Sequence, residues 1–168
     1  MEHLWSPWRM AYLRNSAAGV PGPTGCIFCD LPAEGRDAEN LIVHRGARAF
    51  VILNRYPYNN GHLLIVPFAH VPSFEALDPA TLTEMMLLAN TATATLRRMY
   101  NPQAFNLGAN IGAAAGAGIA EHVHLHLVPR WAGDTNFMST TSGTRVIPED
   151  LSETYRLARQ HWAGGDSA

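Results

Sequence analysis

Lysine is missing from this chain: all 12 of its basic Lys/Arg positions are arginine. That absence excludes Schiff-base chemistry and the lysine-dependent phosphate loop of many nucleoside triphosphatases. Any phosphate bound here is held by backbone amides, histidine or arginine. Long apolar runs are missing as well, and none approaches the roughly 18 residues that a membrane-spanning helix requires. The start, Met1 to Tyr12, is rich in aromatics and lacks the basic region and uninterrupted apolar core of an export signal. No membrane association and a cytoplasmic location are therefore expected. The net charge is only -2 and no dense arginine run occurs, which argues against coating nucleic acid while leaving room for a small anionic ligand.

With 168 residues at 47% hydrophobic content, the chain can bury one substantial core and is too short for two ordinary domains. Residues 1–25 read as an arm and linker: Leu4 to Leu13 carries Trp5, Trp8 and Tyr12 and is suited to docking, whereas Asn15 to Gly25 is rich in Gly, Pro and small residues. Residues 26–168 read as a single domain. Within it, Leu41 to His44 and Ala49 to Asn54 predict a hairpin turning at Arg45-Gly46-Ala47. Tyr56 to Gly61 is turn chemistry, and His62 to Pro67 predicts a strand buried on both faces. A helix capped by Asp78 runs to Tyr100, with Leu82, Met85, Met86, Ala89, Thr93, Leu96 and Tyr100 inward, so both methionines are assigned to the core. Ala104 to Ile111 predicts a fourth strand, and Pro148 to Trp162 a closing helix with Leu151, Tyr155 and either Leu157 or Ala158 inward. Hairpin-linked strands with helices added on one side predict an α+β domain built on a mainly antiparallel five-stranded sheet.

The most informative run is His122-Val123-His124-Leu125-His126-Leu127-Val128-Pro129. Strict alternation puts the three imidazoles on one side of a strand, with Val123, Leu125 and Leu127 on the other. A half-buried strand at a sheet edge, its apolar face on the core and its exposed trio turned toward ligand, is the expected arrangement. Imidazole is a nucleophile, proton shuttle and metal ligand near neutral pH, and crowded histidines gain nothing structural from one another. The preceding loop, Gly112 to Gly118, is all glycine and alanine, so it reads either as a flexible turn or as a cradle whose amides approach an anion.

Cys26 and Cys29, the only cysteines, can clamp a zinc ion, form a redox disulfide or merely sit in a turn. Their position after a Pro/Gly linker, not between a strand and a helix, favours zinc. A structural zinc needs two further ligands, and histidine is the obvious supply. Spacing alone does not choose among the eight histidines.

The run HVHLHLVP resembles the signature of the histidine triad (HIT) superfamily of nucleotide hydrolases and transferases. Cys26 to Cys29, Phe50 to Asn54, Gly61-His62 and Pro67 to Val71 are similar to family landmarks in family order. The flanks, LWSPWRMAYL and Pro129 to Phe137, are similar to a bacterial branch that includes diadenosine tetraphosphate phosphorylases. The resemblance implies a HIT-like fold and a covalent mechanism in which His124 attacks the α-phosphorus of a nucleotide. By the same resemblance His126 contacts phosphate oxygens and assists the leaving group, with His62 beside it in the catalytic group. Asn54 is carried over as a ribose contact, and Asn110, Gly116, Ala117 and Gly118 as phosphate contacts. Trp131 is placed where it shields the site from water or simply packs. A structural zinc on Cys26, Cys29, His70 and His122 is implied too, as is a homodimer paired through the long helix and its neighbouring strand. His44 then reads as an ordinary surface histidine.

The loop departs from the family pattern. Many family members place a glutamine and a hydroxyl residue after its last glycine, where this chain has Ala117-Gly118-Ile119. The choice between water and orthophosphate as acceptor stays open at this point. Two function classes follow: an enzyme that cleaves a nucleotidyl phosphoanhydride through His124, or a zinc-stabilised nucleotide sensor with little turnover. A transition-metal site on the three histidines is the weaker third, because no carboxylate is obviously paired with them.

Overall fold

A computed structural model describes residues 25–134 and 149–162. The aromatic arm, the linker up to Thr24, Phe137 and Pro148 lie outside the described residues. The described chain runs through α1 (Ile27–Ala33), α2 (Asp37–Asn40), β1 (Ile42–Arg45), β2 (Ala49–Leu53) and β3 (Leu63–Pro67). A 3-10 turn (Phe74–Ala76) leads to α3 (Pro79–Tyr100), β4 (Ala104–Gly108), a second 3-10 turn (Ala113–Ala115), β5 (Leu125–Arg130) and α4 (Leu151–His161). The five strands make one sheet in the order β1-β2-β3-β5-β4, every neighbouring pair antiparallel. The α+β class with a five-stranded antiparallel sheet, one long helix and a C-terminal helix is thus the observed fold.

Alternation divides the sheet into two apolar faces. Val51, Leu53, Leu63 and Ile65 meet Met85, Leu88, Ala89, Ala92 and Leu96 of α3, while Phe50, Ile52, Leu64 and Val66 meet Cys26 and Phe28. Both β2 and β3 are therefore buried throughout, as continuous apolar runs predict. Asp78 caps α3 by accepting from the Ala80 and Thr81 amides at 2.9 and 3.0 Å, and Pro79 follows in the first turn.

Several expectations need correction. Met86 is 53% exposed and does not join Met85 in the core. Of the expected inward face Met85, Ala89 and Leu96 are buried and Leu82 and Tyr100 pack against the core, and Thr81, Leu88, Ala92 and Thr95 widen that face. The threonines serve it by donating back to the helix: Thr95 Oγ1 bonds the Thr91 carbonyl at 2.9 Å, so its hydroxyl is satisfied in the core. On α4 the buried positions are Thr154, Ala158 and the following Trp162, so Ala158 and not Leu157 faces inward. Strand β4 stops at Gly108, short of Ile111, because the chain leaves β5 to enter the glycine loop. The short helices α1 and α2 were not anticipated; Arg45 pins both, donating to the Pro32 carbonyl at 2.7 Å and to Asp37 at 2.7 Å. His44 is no ordinary surface residue: its ring stacks on Trp162 at 5.0 Å, and burial lowers its pKa.

Candidate active site

Strand β5 lies between β3 and β4 and is not an edge. Its ladder begins at Leu125, so His122 and His124 stand just ahead of it, tied by the Val123 amide to the Val71 carbonyl at 2.8 Å. The expected exposed edge trio is corrected accordingly: His122 is fully buried, His124 is 5% exposed, and only His126 is partly open. The alternation itself holds, since Val123 and Leu127 are buried in the helix-side core while the histidines face away from it.

Hydrogen bonds fix the proton on each ring. The Nδ1–H of His124 donates to the His122 carbonyl at 2.9 Å, which leaves the Nε2 lone pair available as a nucleophile. Burial lowers the pKa of His124, outweighing the opposite effect of that carbonyl, and so keeps the ring neutral. The Tyr58 amide donates to His62 Nδ1 at 3.1 Å, and the Asn54 side-chain amide lies 3.3 Å from the same atom. The His62 proton therefore sits on Nε2, from which it donates to His126 Nδ1 at 3.0 Å. His126 in turn carries its proton on Nε2. A main-chain amide thus sets, through two rings, a proton-bearing nitrogen beside His124; the His124 and His126 ring centroids are 4.8 Å apart.

Gly61 makes this relay possible. It turns the chain at φ +76, where any Cβ would lie 2.6 Å from Leu96, and delivers His62 into the buried space. Asn54 is engaged in the same turn, its side-chain oxygen accepting from the Tyr56 amide at 3.0 Å.

The glycine loop curls into its own 3-10 turn, between Gly112 at φ 80 and Gly116 at φ 86. The Gly116 and Ala117 amides are taken up by the Ala113 and Gly112 carbonyls at 2.9 and 3.4 Å, which leaves the Gly118 amide outside that turn. Asn110 lines a cavity of about 300 Å³ beside His126, together with Tyr58, Asn59, Asn106 and Arg130. Among the described contacts Trp131 is not brought to the histidines. Its ring meets Tyr100 edge-on at 6.4 Å, because alternation along β5 sends Leu127, Pro129 and Trp131 to the helix side. The same alternation sends His126, Val128 and Arg130 to the cavity side, so extending the HxHxH pattern two more steps would have found Arg130.

Cys26, Cys29, His70 and His122 converge, with one ligand atom from each lying within 4.8 Å of the others. The Sγ atoms approach histidine Nδ1 atoms at 3.3, 3.4 and 3.7 Å. Tetrahedral zinc with ordinary Zn–S and Zn–N bonds separates such atoms by about 3.5 Å, so the donor set fits that ion. His122 supplies Nδ1 because its Nε2–H donates to the Pro67 carbonyl at 2.9 Å, the outer support usual for a metal-bound imidazole. Spacing could not select these four; α1 and the proximity of β3 to the chain before β5 do.

The chain belongs to the HIT family: the HIT domain model matches residues 36–133. It is 39% identical, over 97% of its own length and 85% of the relative's, to a protein of Mycobacterium tuberculosis named AP-4-A phosphorylase. It is 28% identical, over 74% of its length and 69% of the relative's, to the asymmetrical bis(5'-nucleosyl)-tetraphosphatase of Schizosaccharomyces pombe. Among solved structures, a Zn-bound histidine triad family protein from Mycobacterium smegmatis superposes with a TM-score of 0.67 at 28% identity, covering 85% of this chain and 96% of that one.

Proposed function

We propose that this protein, an enzyme of the HIT family, cleaves a nucleoside polyphosphate of the dinucleoside tetraphosphate kind at its α-phosphate by way of a nucleotidyl group on His124. The observation that carries this reading is the His124 Nδ1–H held by the His122 carbonyl at 2.9 Å, which leaves Nε2 unprotonated. In the first step the Nε2–P bond forms, the P–O bond to the rest of the chain breaks, and the Nε2–H of His126 hydrogen-bonds the departing oxygen, which leaves as a phosphate anion. Positive charge that develops on the His124 ring is stabilised by the carbonyl at Nδ1. In the second step water or an orthophosphate oxygen attacks phosphorus, the N–P bond breaks to restore neutral His124, and where water is the acceptor its proton passes to solvent. Asn110 and the Gly118 amide contact phosphate in this scheme, and Asn54 the ribose. The names of the M. tuberculosis and S. pombe relatives support the substrate class.

Incubation with α-labelled diadenosine tetraphosphate followed by an alkaline quench, which preserves phosphoramidates, tests the scheme. Label is expected on His124 and absent in His124→Ala. Nucleotide binding with no transfer of label to the wild-type protein would overturn it in favour of a sensor.

Zinc at Cys26, Cys29, His70 and His122 completes the reading, with a structural role, since all four positions of such a site are filled by protein. Both thiols are free of disulfides, which suits the reducing cytoplasm proposed as its location. No described helix is long and apolar enough to cross a membrane. The partner proposed is a second copy. Leu82, Met86, Leu87 and Leu107 line an apolar hollow of about 540 Å³ between α3 and edge strand β4, and Leu87 is 62% exposed there, an arrangement that invites burial across a two-fold.

A further inference from the structure

Among the described residues the cavity beside His126 is lined by the polar groups of Tyr58, Asn106, Asn110, His126 and Arg130 and by no carboxylate. His126 presents Nε2–H through the relay from Tyr58 and His62. Arg130 engages three N–H groups: two grip Asp134, and one Nη1 proton goes to Asn106 Oδ1 at 2.8 Å. A guanidinium has five such protons, so one on each terminal nitrogen is left for a ligand, and the side chain is 41% exposed to receive it. The bond from Arg130 also fixes the Asn106 amide with its oxygen inward to the guanidinium, leaving its NH₂ as the outward group. Asp134 offsets the charge of Arg130 and holds the fork rigid, so recognition here works through aimed hydrogen bonds more than net attraction. The donors of His126, Arg130 and Asn106 on one cavity match the oxygens of a phosphoryl group.

We propose that this cavity is a second phosphate subsite, distinct from the α-phosphate position, and that Arg130 is its specificity-determining residue. The inference rests on the reading that His124 takes up the nucleotidyl group. Two sources share the chemistry: the polyphosphate that departs past His126, and orthophosphate entering to accept the nucleotidyl group. The second step reverses the geometry of the first, so an acceptor phosphate occupies the place the departing chain vacates. This supplies what the loop lacks in side-chain hydroxyl and amide groups, since Ala117-Gly118-Ile119 offers only backbone there.

The test compares two substrates on wild type, Arg130→Met and Asn106→Asp: diadenosine tetraphosphate, and the 4-nitrophenyl ester of AMP, whose leaving group carries no phosphate. For both variants the ratio of kcat/KM on the tetraphosphate to kcat/KM on the ester is expected to fall by roughly tenfold or more, the size of a lost charge-assisted hydrogen bond. In Asn106→Asp a carboxylate enters the cavity while the bond from Arg130 is kept, so this variant reads the subsite without dismantling the Arg130 cluster. Nucleoside diphosphate formation against orthophosphate concentration separates the sources: a raised KM for orthophosphate assigns the cavity to acceptor and chain, and an unchanged one assigns it to the departing chain alone. An unchanged substrate ratio in folded variants overturns the proposal. Wild-type protein inert toward both substrates overturns the underlying catalytic reading, and this inference with it.

Discussion

Asp134 shows how much one side chain can organise. Its carboxylate accepts from Arg130 at Nη2 (2.9 Å), from the Asn59 amide (2.8 Å) and from the Trp131 backbone (3.3 Å), as well as from Arg130 Nε. The Arg130 bond, followed by those from Asn59 and Trp131, holds its pKa well below the usual carboxylate range. A folded-state pKa below the unfolded one contributes stability that is complete above about pH 4 and is lost as the pH falls through the folded value. Asp134→Asn is therefore expected to cost about 1–2 kcal/mol near neutrality, discounted for the exposure of Arg130. Urea unfolding at a series of pH values checks this: the gap between wild type and variant should narrow below about pH 4 and would not if Asp134 acted only by shape.

At the scale of elements, the turn that ends in Gly61 binds the long helix to the relay. Gly61→Ala places a methyl group 2.6 Å from Leu96 and 3.1 Å from Tyr100 at a left-handed φ, a strain of about 1–2 kcal/mol before any clash. Calorimetry should show Tm falling by roughly 3 °C or more, with kcat falling as well because His62 moves. How far such elements can be read from sequence depends on what positions them. Helix α3 was legible at both ends because Asp78, Pro79 and a long apolar period act locally. Part of its inward face was missed because Thr81 and Thr95 look polar until their hydroxyls are seen bonded within the helix and cap. Helix α1 was illegible because tertiary contacts stabilise it: Phe28 packs on His122 and His124 at 5.5 and 4.8 Å, partners far along the chain. The central histidines were legible from period two alone, whereas Tyr58, Asn59 and Asn106 were not, because a turn and another strand carry them to the site. Arg130 lay in the readable pattern and needed only its continuation.

Whole-molecule behaviour is expected to depend on two associations. Cys26 and Cys29 on the one hand, and His70 and His122 on the other, join α1 to the end of β3 and the start of β5. Elemental analysis should find one zinc per chain, and chelation should lower Tm in a way that added zinc reverses; a zinc-free protein with full stability and activity would refute the site. Separately, Leu87→Arg combined with Leu107→Arg introduces charge into the hollow between α3 and β4. Light scattering should then report half the wild-type mass, and an unaltered mass would exclude that face as the subunit contact.

His122 belongs to both systems at once, and its two ends do different work. The ring faces the thiols, while the main-chain oxygen grips the imidazole two residues on. Replacing the ring leaves that oxygen chemically intact but unmoors it. Zinc held there would act as a remote splint for a single peptide carbonyl, and under the proposed mechanism its removal should blunt the aim of His124 without touching any atom that meets the substrate.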